Sequence, residues 1–198
     1  SSMPRKPRIQ QENLTYHITS RCIEWRSMMD QDYFKQLLLE TLAQAQNKYQ
    51  FELNAYQIMD NHIHLVIRTL PGGASISRLV QYIKSRFAEK YNRLTQRIGP
   101  FWNERYHDSI IEHAENPEYY LLWLLWYLAF NPIRSKATDS PRKYRYSSIH
   151  AYLDTRDRPP VKVDLHQYFI RLGNGIEERI KRFLVYEDAY RRRLAVIT

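Results

Sequence analysis

Two histidines two residues apart, His62 and His64, sit inside the apolar run from Tyr56 to Ile67. On a strand, successive side chains alternate faces, so both imidazoles point one way while Ile63, Leu65 and Ile67 point the other. Two aligned imidazoles on rigid backbone are half of a metal site, since imidazole binds most divalent first-row metals. By itself so short and frequent a motif reads first as two hydrogen-bonded polar residues on a strand. A second pair lies downstream. Tyr127 and Asn131 are four apart in a segment that reads as a helix, with Asn116 as N-cap, Pro117 at the first helical position and Pro132 as its stop. That spacing places a phenol, a candidate nucleophile, one turn from an amide oxygen, a candidate ligand.

The elements that must position these groups follow from periodicity. Residues 14–22 alternate, with Leu14, Tyr16 and Ile18 on one face and Thr15, His17, Thr19 and Arg21 on the other, which predicts a half-buried strand. If it pairs with the histidine strand, His17 and Arg21 line the same open face; His17 reads first as a sheet histidine bonded to neighbouring hydroxyls. Residues 30–48 form an amphipathic helix with Phe34, Leu37, Leu38, Leu42 and Ala45 inward. A strand over 51–59 then enters an Asp60-Asn61 turn that leads into His62. After Pro71-Gly72-Gly73, Ser75 caps a helix running to about Arg97, with Ile76, Leu79, Val80, Ile83, Phe87 and Leu94 as its buried stripe. Arg86, Lys90 and Arg93 follow one flank of it, either as a surface for the backbone of a polyanion or as a solvated face. Residues 101–112 read as a returning strand. Strand, helix, strand, strand, helix, strand is the order of a ferredoxin-like (RRM-like) α+β fold, an antiparallel sheet with helices on one face. Asp154 to Pro160 reads as a linker, giving a domain over 3–153 and a helical extension over 154–198 that packs back on the domain or on a second subunit.

The chain has 198 residues, 30 Lys and Arg against 21 Asp and Glu, a net charge of +9 and a pI near 9.6. So basic a protein is drawn to polyanions, and its 16 tyrosines add rings suited to stacking on unpaired bases. The basic, proline-broken arm over 3–11 suits phosphates as well as it suits a solvated tail. Ser1-Ser2 ahead of Met3 reads as an expression-tag remnant. One cysteine, Cys22, rules out an intrachain disulfide, and the longest apolar run is too short to span a bilayer. No signal peptide is visible, so the expectation is a cytoplasmic protein without a membrane partner.

Asn61-His62-Ile63-His64 after an apolar strand, then Tyr127-Leu128-Ala129-Phe130-Asn131-Pro132-Ile133-Arg134, then Pro141 to Tyr152, resembles the single-tyrosine HUH transposases. Within these IS200-like transposases the chain is most similar to the REP-associated tyrosine transposases. The likeness runs from about Tyr16 to Tyr152. Ser135 and Lys136 replace a small residue and glycine usual in that family, and Tyr146 replaces a tryptophan. The resemblance implies a ferredoxin-like palm and Mg²⁺ or Mn²⁺ held by His62, His64 and Asn131. It also implies Tyr127 as a nucleophile that forms a 5′-phosphotyrosine link to single-stranded DNA flanked by a hairpin. Arg21, Arg86, Lys90, Arg93, Arg105 and Arg134 are the candidate DNA contacts. Tyr106, Tyr119 and Tyr120 are rival nucleophiles without the spacing to Asn131. An RNA-binding module on a similar sheet, and a domesticated or non-catalytic sequence-specific nucleic-acid-binding protein on the same scaffold, remain alternatives, and the chain reads as a monomer or a homodimer.

Overall fold

The computed structural model describes residues 13–103, 105–155 and 159–197; the basic arm over 3–11, Glu104 and the centre of the linker lie outside them. Apolar alternation drives strand β1 (Thr15–Arg21), which buries Tyr16 and Ile18 on one face and turns His17, Thr19 and Arg21 to the other. Helix α1 (Asp32–Lys48) leads to β2 (Phe51–Ile58), a short turn, and β3 (His62–Thr69). Helix α2 (Ile76–Thr95), capped by the Ser75 hydroxyl on the Arg78 N–H, precedes β4 (His107–Ile110). The four strands form one antiparallel sheet in the order β2-β3-β1-β4. This is the ferredoxin-like arrangement, with β1 and β3 at the centre.

Helices α1 and α2 cover the face that carries Tyr16, Ile18, Ile63, Leu65 and Ile67, where Leu38, Leu42, Leu79, Ile83 and Phe87 complete the larger core. The opposite face carries the histidines. A second core forms there from Ala55, Val66 and Ile111 against α3 (Pro117–Ala129) and the C-terminal segment. Short helices α4 (Asn131–Arg134), α5 (Ile149–Tyr152) and α6 (Gln167–Ile170) lead to α7 (Ile176–Ile197), which packs on α3 of its own chain. Phe183 is fully buried, stacked on Trp126 with ring centroids 4.8 Å apart. Among the described residues no helix is long and apolar enough to cross a membrane.

Four local expectations need correction. The returning strand is only His107–Ile110, because Phe101 and Trp102 instead pack their rings against Phe87 of α2. Leu94 is 53% exposed, since the last turn of α2 runs past the core, and Tyr91 takes the buried place. The helix that carries Tyr127 does stop ahead of Pro132, whose missing N–H interrupts the ladder, but it ends at Ala129, so Asn131 opens α4 instead of sharing α3. The histidine face is not open along its length either: α3 and the C-terminal segment bury Val66 completely and leave His64 6% exposed.

Candidate active site

The turn that delivers β3 is held from three sides. The buried Lys35 ammonium pairs with Asp60 at 2.8 Å and donates to the Met29 carbonyl at 2.7 Å. The Met29 and Cys22 N–H groups donate to the carbonyls of Asp60 and Asn61. Asn61 in turn accepts from His62 Nδ1–H through Oδ1 at 2.7 Å, which leaves the Nε2 lone pair of His62 as its donor. His64 is set from the neighbouring strand. In the β1–β3 register Thr19 lies opposite His64 and Arg21 opposite His62. His17 Nε2 approaches His64 Nδ1 to 3.0 Å and Thr19 Oγ1 approaches it to 3.1 Å, so the tautomer with its proton on Nδ1 also presents Nε2. The two imidazoles of β3 stand edge to face, centroids 5.1 Å apart.

Helix α3 brings the second pair. Asn116 Oδ1 accepts the Tyr119 N–H at 3.1 Å, and Leu121, Leu122, Leu124, Leu125, Trp126 and Leu128 are buried, which fixes the helix's rotation. That leaves Tyr127 on the outer side, 39% exposed, its ring meeting His64 edge-on at 6.5 Å. Asn131, one turn further, lies beside the His62 imidazole, close enough for its amide to favour the protonated ring. Arg134 closes the group: its guanidinium lies 4.1 Å from the Tyr127 ring centroid, donates to the Tyr127 carbonyl at 2.8 Å and bonds the Tyr190 hydroxyl of α7.

Burial holds all three histidines neutral. His17 is pushed down to about 4 by desolvation. His62 is lowered by burial and by Arg21 nearby, and His64 falls well below the usual imidazole range through burial and then its two histidine neighbours. Neutral imidazoles keep their lone pairs for a cation, and Arg21 and Arg134 add positive charge suited to a phosphate. Among the described residues no three His, Cys, Asp or Glu side chains gather around one cation position. The Asn131 amide beside His62 is a further oxygen donor that a metal on the two histidines of β3 could take. The donor set fits a divalent cation: two neutral imidazoles, at least one with its far nitrogen already anchored, and one amide.

The remaining sequence candidates are dispersed. Arg86, Lys90 and Arg93 lie on α2, in the helix layer on the far side of the sheet from His62 and His64. There Lys90 donates to Gln44 of α1 at 2.6 Å and Arg86 pairs with Glu89 at 3.7 Å. Arg105 is exposed in the segment leading to β4. Tyr119 stacks against Trp123 at 6.1 Å, two turns back along α3 from Tyr127. Nothing in the spacing marks Asn61 as a histidine partner, Lys35 or Trp25 as part of this site, or Tyr190 as a partner of Arg134. Trp25 lies under Arg21, 4.0 Å from guanidinium carbon to ring centroid, and 6.5 Å from His62. Nothing in the local pattern around Trp25 signals this, since its neighbours belong to another element.

A search among curated proteins returned no match. The chain resembles a solved structure of a REP-associated tyrosine transposase bound to a REP hairpin, with a TM-score of 0.63 and 19% identity, over 82% of this chain and 92% of that one. It also matches a presumed transposase from Deinococcus radiodurans R1 at 20% identity, over 55% of this chain and 85% of that one, with a TM-score of 0.35. The first likeness is one of fold. The model of the IS200-like transposase family matches residues 10–119, a stretch that contains His17, His62 and His64 and stops short of Tyr127 and Asn131. With more than half of the chain matched and the histidine strand inside the match, the protein belongs to the IS200-like transposase family.

Proposed function

We propose that the protein is a metal-dependent single-stranded DNA endonuclease and strand transferase of the HUH type, acting at DNA flanked by a hairpin. The observation that carries this reading is the meeting of β3 and α3, with the Tyr127 ring 6.5 Å from His64 and Asn131 beside His62. In this reading the phenolic oxygen of Tyr127 attacks a backbone phosphorus as its proton leaves. The P–O3′ bond breaks, the departing 3′ oxygen takes a proton, and a 5′-phosphotyrosine remains on the protein. The new ester keeps the energy of the old one, so a second 3′-hydroxyl reverses the step without ATP.

A phenol titrates at about 10 in water and attacks poorly at neutral pH. A bound Mg²⁺ or Mn²⁺ would polarise the phosphoryl oxygens and offset the charge that develops there. His62, His64 and Asn131 would hold it; His17, Thr19 and Asn61 orient the imidazoles. Arg134 holds the Tyr127 ring from outside and, with Arg21, faces the phosphate. Arg105 and the α2 flank would contact DNA away from the centre. Residues 3–153 form the catalytic domain in this reading and 154–198 an extension that braces α3, and nothing in it requires a second copy of the chain. The test is incubation with single-stranded hairpin DNA and Mn²⁺: a covalent adduct on denaturing gels is expected. Its absence with every hairpin and either metal would return the protein to a DNA-binding role.

A further inference from the structure

Residues Ile23–Trp25 form a single tight turn after β1 in which no side chain is buried. Glu24 and Trp25 both adopt left-handed backbone, with φ of 54° and 56°. Two such residues in succession, neither a glycine, are costly, and the turn persists because its surroundings enforce it. The Ile23 N–H donates to Phe101 O at 2.8 Å, the Trp25 N–H to Cys22 O at 3.1 Å, and Cys22 beneath is fully buried. What this strain delivers is an indole 50% exposed to solvent. Core packing does not explain that placement, because the largest apolar surface in the turn faces outward.

The neighbours of the ring indicate its use. Arg21 covers the indole at 4.0 Å, and Arg21 is the residue opposite His62 across the β1–β3 ladder. The ring itself stands 6.5 Å from the His62 ring at an interplanar angle of 70°. An exposed aromatic plane, a guanidinium stacked on it and a histidine centre beside it form one continuous surface. Planar bases stack on aromatic side chains whatever their sequence, and a stacked guanidinium supplies the charge that a backbone phosphate requires.

We infer that Trp25 is a platform for one unpaired DNA base next to the scissile phosphate, with Arg21 holding the indole and taking the adjoining phosphate. This rests on the reading of the histidine face as a DNA-cleavage centre and adds the nucleotide that positions the strand there. Trp25 acts as a positioning residue: it sets which phosphate reaches Tyr127.

The test measures binding, without divalent metal, of hairpin DNA carrying a single-stranded flank, so that no cleavage occurs. Abasic sites are placed one at a time through the unpaired nucleotides. In wild type one position should weaken binding by roughly ten-fold, the size of one base–aromatic stack. Trp25→Ala should bind the intact strand as weakly as wild type binds that abasic strand, and the same abasic site should then cost nothing further. Trp25→Phe should restore most of the difference. Trp25→Gly separates function from structure: glycine accepts φ of 56° freely, so the variant should melt at a higher temperature while binding as weakly as the alanine variant. Additive penalties, or a uniform loss across all abasic positions, would overturn the inference. A lowered melting temperature in Trp25→Gly would make the ring structural. Loss of adduct formation in wild type would instead strike at the cleavage reading and leave the binding measurement standing.

Discussion

His17 Nε2 lies 3.0 Å from His64 Nδ1, and the two rings stack with centroids 5.2 Å apart. His64 therefore comes to the centre already oriented by a histidine from another strand. A partner of this kind usually accounts for ten- to hundred-fold in metal affinity. His17→Ala should weaken Mn²⁺ binding by about ten-fold or more, read by calorimetry, whereas His62→Ala with His64→Ala should abolish it. Unchanged affinity in the double variant would remove the metal site.

Tyr127→Phe deletes one hydroxyl and keeps the ring that meets His64 and Arg134. Metal and DNA affinity should hold, while the covalent protein–DNA species disappears. Tyr106→Phe, Tyr119→Phe and Tyr120→Phe should still form it. Survival of the adduct in Tyr127→Phe would relocate the nucleophile.

The α2 flank lies on the other side of the sheet from the histidines, so its effect should be on affinity and not on chemistry. Replacing Arg86, Lys90 and Arg93 by glutamine should lower the slope of log affinity against log salt by roughly one unit per lost phosphate contact. The single-turnover cleavage rate of saturated enzyme should stay within about two-fold. An unaltered salt slope would make that flank a solvated face.

His166 is 1% exposed, accepts the Tyr168 N–H at Nδ1 and therefore carries its proton on Nε2, which donates to Thr15 Oγ1 at 2.9 Å. Burial lowers its pKa from 6.5 to about 4. Between those values the unfolded chain binds more protons, so the stability present above pH 6.5 drains away as pH falls and levels off below 4. The whole window is worth up to about 3 kcal/mol. His17, His62 and His64 titrate in the same direction, so the reading is a difference. His166→Asn should show a shallower loss than wild type in urea midpoints between pH 7 and pH 4, and parallel profiles would contradict it.

Phe183 joins α7 to Trp126, Tyr152 and Phe169, and it is fully buried. Phe183→Ala should cost about 3–5 kcal/mol in urea unfolding. Because Tyr190 holds Arg134 from the same helix, adduct formation should fall as well, while Mn²⁺ affinity stays near wild type.

Local spacing alone determined much of this protein. A two-residue step on an apolar strand puts His62 and His64 on one face, and a four-residue step on a capped helix puts Tyr127 and Asn131 on another. The first follows from backbone geometry within one strand; the second carries across the break between α3 and α4, because Phe130 keeps right-handed helical backbone there. The order of elements likewise announced the ferredoxin-like sheet. What the spacing left undetermined is which element stands opposite which. The contact of His17 with His64 joins residues 47 apart through strand register, and that of Arg134 with Tyr190 joins residues 56 apart through helix packing. The same holds for Trp25, carried to the histidines by a strained turn, and for the α2 arginines, carried away from them because the stripe beneath them binds the opposite face. Burial of that stripe decides the side, and it is the summed core of both layers, not any one segment's pattern, that makes the choice.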